Sequence, residues 1–296
     1  MPMRSWMFVP GDSARKLDKA PTMGADVVII DLEDAVAPDA KGDARKLTRE
    51  WLAANNDAPG DADAPHYWVR INPLDAVQWQ FDVEAALEGK AAGLMVPKAA
   101  GPEQLSRLIE MLQEREAPCG IAPGSTRLLP LVSETAAAAN TIADYGRPEH
   151  ATARLAGLTW GAEDLSAAIG ATRKRDGRGI WTDLFRIVRA QTLLAAHAAG
   201  VAAIDTLHAD FRDEEGLRRV ASEAYRDGFT GMLAIHPAQV PIINEAFTPG
   251  AGELAEARAI VALFEANPGV GALQLDGRMV DQPHFAAAKR LLASVG

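Results

Sequence analysis

The chain has 296 residues, 48% of them hydrophobic and 24% charged, with a formal net charge of −10 at pH 7. That length suffices for one large α/β barrel or two average domains, and the acidic balance, with no dense lysine and arginine stripe, disfavours nucleic acid and anionic membranes as partners. The single cysteine, Cys119, rules out an intrachain disulfide, and the lack of a signal-peptide core or a bilayer-length apolar run predicts a cytoplasmic protein.

Short apolar strands alternate with amphipathic stretches along almost the whole chain. The candidate strands cover residues 5–9, 26–32, 67–72, 93–97, 127–132, 155–160, 202–207 and 231–236. The segments between them carry apolar residues three and four positions apart, the spacing of a helix with one buried face. Eight strands alternating with helices predict an α/β fold, a (β/α)₈ TIM barrel over residues 1–248. A doubly wound open sheet would alternate in the same way, although no Gly-x-Gly-x-x-Gly turn follows the first strand.

Two segments fall outside this alternation. Residues 58–65, APGDADAP, have the composition of a surface loop inserted between elements. Residues 249–296 form a small C-terminal helical extension, with a helix over 253–267, a short strand over 272–275, a turn at Asp276-Gly277 and a helix from Pro283. We expect this extension to be too small for a core of its own, and to pack on the barrel or on a neighbouring subunit.

The end of the second strand is the first candidate for a functional site. The β-branched run VVII at 27–30 is typical of a strand buried on both faces, and Asp31, Glu33 and Asp34 follow it directly. Clustered carboxylates repel one another and lose solvation, so a chain tolerates them where a cation, an arginine or a catalytic task is present. In α/β folds the carboxyl ends of strands are also where sites are built.

Polar residues also follow other strands, and a barrel would bring them to the same mouth. They are Arg70 on the third strand, Lys98 after the fourth, Glu134 after the fifth, and Glu163 and Asp164 after the sixth. Glu134 and Asp164 follow adjacent strands and could place two carboxylates on Mg²⁺. Acids are equally favoured at the start of the helices that follow, so the metal and helix-cap interpretations both stay open.

Arg70 and Lys98 each have two interpretations. The guanidinium of Arg70 could bind a substrate carboxylate, pair with an acid after the second strand, or do both. Lys98 could form a Schiff base with a carbonyl substrate, but we favour a lysine paired with nearby acids, since a divalent metal makes an imine unnecessary. The loop 172–179, TRKRDGRG, is expected to help shape the substrate pocket.

Taken together, nine stretches resemble the citrate lyase beta-subunit-like family, part of the HpcH/HpaI aldolase group. In chain order they are RSWMFVPGDSARKLDKA, ADVVIIDLEDAVAPDAKGDAR, VRIN, GLMVPKA, LLPLVSETAAA, LTWGAEDLSAAIG, AIDTLHADFRDEEGL, GFTGMLAIHPAQV and GRMVDQPHFAAAKRLL. The resemblance implies a barrel, typically a homotrimer or a larger homo-oligomer such as a hexamer, with Mg²⁺ on Glu134 and Asp164 and a substrate carboxylate on Arg70. It also implies cleavage or formation of a carbon–carbon bond between an acyl-CoA thioester and a 2-oxo acid, as with citryl, malyl and citramalyl thioesters.

The resemblance assigns roles to further residues. Asp281, in the motif GRMVD, is implied to reach the neighbouring subunit's site and to act there as the acid/base, and Arg15 and Lys16 to contact the CoA phosphates. Glu33 and Asp34 then become candidates for orienting Arg70 and a metal-bound water. Three alternatives remain: a citrate lyase subunit that acts on a carrier-protein thioester, a barrel that only binds acyl-CoA, and the Schiff-base aldolase.

One departure from the pattern bears on the substrate. Many relatives have a lysine in the Gly-Lys-x-x-Ile-His-Pro stretch, where this chain has Met232. The subtype of substrate therefore does not transfer from those relatives.

Overall fold

The structure is a computed structural model and describes residues 3–56 and 64–294. Most of the inserted loop expected from the sequence, residues 58–63, lies outside the described residues. The chain divides into two compact units, one over Met3–Asn244 and a second that begins at Glu245. Across the described ranges, no helix is both long and apolar enough to cross a membrane.

The first unit is built on eight parallel strands. They are β1 Ser5–Pro10, β2 Val27–Asp31, β3 His66–Arg70, β4 Gly93–Val96, β5 Arg127–Pro130, β6 Gly157–Thr159, β7 Ala202–Asp205 and β8 Gly231–Ala234. The strand order is β5-β4-β3-β2-β1-β8-β7-β6. Two isolated parallel bridges, Leu128–Leu155 and Leu131–Thr159, join the outer strands β5 and β6. The barrel predicted from the alternation is therefore confirmed, and the open sheet is not what forms.

Helices alternate with these strands and cover the sheet. They are α1 Ala14–Leu17, α2 Lys41–Asn56, α3 Gln78–Glu88, α4 Leu105–Arg115, α5 Ala136–Asn140, α6 Ala162–Ala168, α7 Asp183–Ala199, α8 Glu214–Asp227 and α9 Gln239–Ala246. Helix α8 shows why they form: its buried side chains include Leu217, Val220, Ala221 and Ala224, spaced for one helical face. Asp213 caps its N-terminus, so local sequence and burial specify the same helix.

Alternate residues of the strands point into the barrel and form its core. Val27 and Ile29 on β2 join a buried interior cluster with Trp68 on β3. Trp68 fits because Gly93 on β4 has no side chain, and a Cβ there would lie 2.6 Å from the indole. The same alternation places Asp31 next on β2 after Ile29, and the strand register pairs it with Arg70. The core thus fixes the positions of the polar residues at the carboxyl ends of the strands.

The second unit contains two helices and an antiparallel hairpin. Its elements are α10 Ala251–Glu265, β9 Ala272–Leu275, β10 Arg278–Asp281 and α11 Gln282–Ala293. The hairpin turns at Asp276 and Gly277, whose φ angles of 47° and 78° suit a two-residue hairpin turn. Strand β9 and the turn were predicted from the sequence, whereas β10 was not.

This unit has a small hydrophobic core, so the expectation that it could not form one was wrong. The buried members are Ala257, Ile260, Phe264, Val280 and Ala288. Phe264 also stacks on Phe285, with ring centroids 5.0 Å apart. The missed strand β10 supplies Val280, and the two helices α10 and α11 supply the other buried members.

Candidate active site

A cavity of about 600 Å³ lies at the carboxyl ends of the barrel strands. Its apolar wall includes Phe8, Leu131, Trp160 and Leu233. Its polar lining brings together residues that the sequence placed at separate strand ends: Lys16, Asp31, Asp34, Arg70, Glu134 and Asp164. An apolar cavity with a few convergent polar groups is the usual form of a small-molecule site.

Asp31 and Arg70 form the central ion pair of this cavity. The Nε and Nη2 atoms of Arg70 donate to the two carboxylate oxygens of Asp31 at 2.8 Å and 2.6 Å. Asp31 also accepts the backbone N–H of Glu33 at 2.8 Å, and it is 2% exposed. The sequence indicated that Arg70 pairs with an acid after the second strand, but the role of orienting its guanidinium was predicted for Glu33 and Asp34 and not for Asp31. Asp31 could have been found from the register, because it lies beside Arg70 on the neighbouring strand.

Glu33 and Asp34, although adjacent in sequence, have different partners in the structure. Oε2 of Glu33 lies 2.9 Å from Nη1 of Arg70, and its other oxygen accepts a hydrogen bond from Lys98. The Asp34 side chain is 59% exposed and pairs with Lys98 at 3.8 Å, whereas the described acid partners of Arg70 are Asp31 and Glu33. The predicted role of Asp34 in orienting Arg70 was therefore wrong, because its carboxylate pairs with Lys98 and makes no ion pair with the guanidinium.

Arg70 remains charged and still has donors to offer. Burial lowers the pKa of its guanidinium, but the hydrogen bonds and negative charges of Asp31 and Glu33 outweigh burial and raise it. The guanidinium lies over the ring of Phe8, 4.8 Å from its centroid. A guanidinium has five N–H donors, and two of those of Arg70, on Nε and Nη2, are donated to Asp31, while Nη1 makes the ion pair with Glu33. The remaining N–H groups on Nη1 and Nη2 can bind a substrate carboxylate.

Lys98 adopts a backbone conformation that is unusual for a lysine. Its φ is 50°, in the left-handed region, and its backbone N–H donates to Oε2 of Glu134 at 2.6 Å. Its ammonium group donates to Glu33 and lies 3.7 Å from Oδ1 of Asp164. Burial lowers the pKa of Lys98, but the hydrogen bond and charge of Glu33 and the charge of Glu134 raise it overall. Schiff-base lysines need a lowered pKa, so the favoured ion-paired interpretation fits this geometry.

Glu134 is buried beneath the cavity, at 3% exposure. Burial, together with the negative charges of Asp164 and Glu33, raises its pKa to about 8. It fits its place because Gly161 has no side chain: a Cβ there would lie 2.9 Å from Cγ of Glu134. The helix-cap interpretation of Glu134 was wrong, since the side chain of Thr135 caps α5.

Glu134 and Asp164 form a donor set suited to a hard cation. Asp164 lies in the first turn of α6 and lines the cavity. Glu163, in the same turn, also lines the cavity and pairs with Lys174, and its predicted position at the start of this helix is confirmed. Two carboxylates whose charges oppose each other would be relieved by a divalent cation, and their oxygen donors suit magnesium-type ions. Across the described residues, no group of three or more acid, histidine or cysteine side chains converges as a ligand set.

The other predicted residues fall partly at the cavity and partly elsewhere. Lys16 lines the cavity, as do Lys19 and Met23, which sequence analysis missed, whereas Arg15 is not part of its lining. The residues of the loop 172–179 do not line it either, so its expected role in shaping this pocket was wrong. Arg175 and Gly179 from that loop line a different cavity.

Asp281 lies in the second unit. It forms the N-cap of α11 by accepting the backbone N–H of His284, whose imidazole also contacts its carboxylate. The hydrogen bond from His284 lowers the pKa of Asp281. At neutral pH this group is therefore a carboxylate, able to accept a proton.

Comparison with known proteins decides the family. Residues 4–237 match the family described as HpcH/HpaI aldolase/citrate lyase. The chain belongs to this family. Aldolases and citrate lyases break carbon–carbon bonds, so this family member is a carbon–carbon lyase, as its sequence predicted.

Similar proteins extend over nearly the whole chain. The (3S)-malyl-CoA thioesterase of Cereibacter sphaeroides is 35% identical, over 99% of this chain and 94% of that protein. The mitochondrial citramalyl-CoA lyase of Mus musculus is 30% identical, over 99% of this chain and 86% of that protein. A similar solved structure is the crystal structure of CitE from Mycobacterium tuberculosis in complex with magnesium, acetoacetate and coenzyme A. Its sequence is 35% identical, the TM-score is 0.77, and the match covers 100% of this chain and 98% of that chain. The predicted family and barrel are confirmed.

Proposed function

We propose that this protein cleaves, or forms, a 3-hydroxyacyl-CoA thioester of the citramalyl, malyl or citryl type, with acetyl-CoA and a 2-oxo acid as the other reactants. One observation carries the proposal: a buried arginine with free donors and two opposed carboxylates share one largely apolar cavity of about 600 Å³. That combination suits a small oxo acid with one carboxylate and a metal-chelating oxygen. The related CitE structure with magnesium, acetoacetate and coenzyme A supports it.

Glu134 and Asp164 would hold Mg²⁺, which when bound supplies Lewis-acid stabilisation of negative charge on the substrate oxygens. Arg70 would bind the carboxylate of the 2-oxo-acid half through its remaining donors. Asp31 and Glu33 keep the guanidinium in place before substrate arrives, so little freedom is lost on binding. The apolar wall of Phe8, Leu131 and Trp160 keeps water from the reacting carbons.

The carbon–carbon bond then breaks with one proton transferred. In the cleavage direction a base takes the hydroxyl proton, the bond breaks, the 2-oxo acid leaves, and the thioester enolate takes a proton on carbon. We assign the acid/base role to Asp281 of a neighbouring copy, which implies a homo-oligomer. Its lowered pKa keeps the carboxylate ionised at neutral pH, the form that can accept the hydroxyl proton.

The CoA half of the substrate would lie towards α1. Lys16 and Lys19 line the cavity there, and Arg15 is adjacent in sequence. These cations suit the phosphates of CoA.

The test is a cleavage screen of the purified protein against citramalyl-CoA, malyl-CoA and citryl-CoA with Mg²⁺, detecting pyruvate, glyoxylate or oxaloacetate. We expect one thioester to give its oxo acid together with acetyl-CoA, and a chelator to abolish the reaction until Mg²⁺ is restored. Full activity of the Glu134→Gln protein without metal would overturn the scheme. Activity only with a carrier-protein thioester would assign the citrate lyase subunit role, and borohydride trapping of pyruvate on Lys98 would assign the Schiff-base aldolase.

A second candidate is thioester hydrolysis, favoured by the relative named (3S)-malyl-CoA thioesterase. Hydrolysis releases a free CoA thiol and malate, whereas cleavage releases acetyl-CoA and glyoxylate. Measuring free thiol and oxo acid in the same malyl-CoA reaction therefore separates the two functions.

A further inference from the structure

A second cavity, of about 180 Å³, lies beside the first and is lined by arginines. Arg175, Arg186, Arg189 and Arg219 contribute to it, against the two carboxylates Asp205 and Glu223. We infer that this basic cavity binds a small oxyanion with two negative charges, a phosphate or a dicarboxylate, held by Arg175 and Arg219. The inference does not depend on the proposed lyase reaction.

Arg175 is held in place by a hairpin over residues 174–182. Its backbone forms an antiparallel bridge with Trp181, and Thr182 donates to the carbonyl of Lys174 at 2.9 Å. The tip is fixed by Asp176, whose carboxylate accepts the backbone N–H groups of Arg178 and Ile180. The guanidinium of Arg175 lies over the Trp181 ring, 3.5 Å from its centroid. Its position is therefore set before any ligand binds, which reduces the entropy lost on binding.

The charge of Arg175 is not neutralised by a carboxylate. Within the described part of the chain it makes no ion pair, and its hydrogen bond is donated by Nη1 to the carbonyl of Gly179 at 2.7 Å. Burial lowers its pKa, Asp205 raises it, and the nearby charges of Arg219 and Arg189 lower it further. A half-buried guanidinium with free donors, facing other cations, is the environment that an oxyanion stabilises.

Arg219 approaches the same point from α8. A Cβ on Gly179 would lie 3.2 Å from Nη2 of Arg219, and Arg175 donates to the carbonyl of the same glycine, so both guanidinium groups lie next to Gly179. Arg219 is only loosely paired, 3.8 Å from Glu223. Arg189, by contrast, is already bound to Asp205 at 2.9 Å and Asp227 at 2.7 Å. Arg186 pairs with Asp183 at 3.4 Å. Among the described residues, Arg175 and Arg219 are therefore the two guanidinium groups of this cavity with no carboxylate oxygen within 3.5 Å.

Calorimetric titration of the full-length protein with inorganic phosphate, and separately with succinate, at constant ionic strength tests the inference. We expect saturable binding of at least one anion, and a loss of about tenfold or more in affinity in both Arg175→Met and Arg219→Met, the cost of one charge-assisted contact. Phosphate alone would identify a phosphate ligand, and succinate alone a dicarboxylate. Arg219→Met keeps the stack on Trp181, so it tests the site even if Arg175→Met fails to fold.

Two matched variants test whether the anion binds at this cavity or at another basic surface of the protein. Arg178 lies in the same hairpin with its side chain 80% exposed, so Arg178→Met should change affinity by less than about twofold. Arg49→Met should also leave it unchanged, because the Arg49 side chain is 44% exposed and lines neither cavity. Absence of saturable binding by either anion, or an equal loss in Arg178→Met or Arg49→Met, would overturn the inference.

Discussion

At the scale of single residues, the candidate active site is a cluster of charged side chains that are largely shielded from water. Each charge is therefore stabilised or opposed by the charged groups beside it. Arg70 is bound by Asp31 and Glu33, and Glu33 also accepts a hydrogen bond from the ammonium group of Lys98. Glu134 accepts a backbone N–H from Lys98 and is opposed by Asp164. Removing one group therefore changes the groups it holds, and each contact has its own measurable consequence.

Replacing Glu33 with Gln should weaken substrate binding more than metal binding. The change removes the charge beside Nη1 of Arg70 but leaves the two hydrogen bonds that Arg70 donates to Asp31. We expect the KM for the thioester to rise by about tenfold, with the Kd for Mg²⁺ within about twofold, as for loss of a supporting contact. Steady-state kinetics and calorimetric Mg²⁺ titration measure the two effects. A larger change in Mg²⁺ affinity than in KM would place Glu33 on the metal instead.

Adding a methyl group at Gly161 should displace Glu134. A Cβ there would lie 2.9 Å from Cγ and 3.4 Å from Oε1 of Glu134. We expect Gly161→Ala to weaken Mg²⁺ binding by about tenfold or more, because the carboxylate is moved rather than removed. Gly177→Ala is the matched control, since a Cβ at Gly177 would have no neighbour within 4 Å. Equal Mg²⁺ affinity in the two variants would contradict the placement of Glu134.

At the scale of elements, the loops before β5 and β6 are joined by one buried ion pair. Arg154 donates to both oxygens of Glu116 at 2.6 Å and 2.8 Å, and the backbone N–H of Gly124 donates to the same carboxylate at 2.6 Å. Burial raises the pKa of Glu116, but these hydrogen bonds outweigh burial and lower it to about 2. The pair fixes the segments that lead into β5 and β6, the strands joined by isolated bridges.

The contribution of Glu116 to stability should depend on pH. Because its folded pKa lies below the ordinary 4.5, the stabilisation is complete above about pH 4.5 and is lost as pH falls towards 2. We expect Glu116→Gln to lower the free energy of unfolding by about 3 kcal/mol at pH 7, with the difference from wild type shrinking below pH 4. Urea unfolding at several pH values measures it.

An exposed ion pair provides the control for that experiment. Glu88 pairs with Arg49 at 3.1 Å, with side chains 51% and 44% exposed. Glu88→Gln should therefore change the free energy of unfolding by less than about 1 kcal/mol at every pH. A difference for Glu116→Gln that does not decrease in acid would show that packing, and not charge, accounts for the loss.

At the scale of the whole molecule, the candidate site residues lie in two compact units. Arg70, Glu134 and Asp164 belong to Met3–Asn244, whereas Asp281 belongs to the unit that begins at Glu245. Each unit has its own buried cluster. The proposed acid/base is therefore on a different unit from the residues that would bind the metal and the carboxylate.

If Asp281 acts across subunits, two inactive variants should restore activity when mixed. Asp281→Asn alone should lower kcat by about a hundredfold or more, as expected for loss of an acid/base. Arg70→Ala alone should be equally impaired, through substrate binding. We expect oligomers refolded from an equal mixture to regain activity, because some sites combine an intact Arg70 with an intact Asp281 of a neighbour. If oligomers shown to contain both variants regain no activity, Asp281 does not act in the neighbouring subunit's site.

Much of this fold was predictable because it follows from local periodicity. All eight barrel strands were placed from alternating apolar runs, with ends within about two residues of those observed. Strand β10 was missed, since the motif GRMVD is short, carries two charges and has only one buried residue. The first unit's candidate residues were predictable for a related reason: in a barrel, the carboxyl ends of the strands meet.

The sequence by itself determined the barrel, the family and the set of residues at the strand ends, because periodicity, strand-end position and motif order are properties of the chain alone. Only the tertiary structure decided how those residues pair. Register made Asp31 the partner of Arg70, and the turn after β2 placed Asp34 beside Lys98. The hairpin 174–182 placed Arg175 in a second cavity and not in the first. Such pairings depend on distances between residues that are far apart in sequence. These distances are set by the packing of the folded chain and cannot be derived from composition.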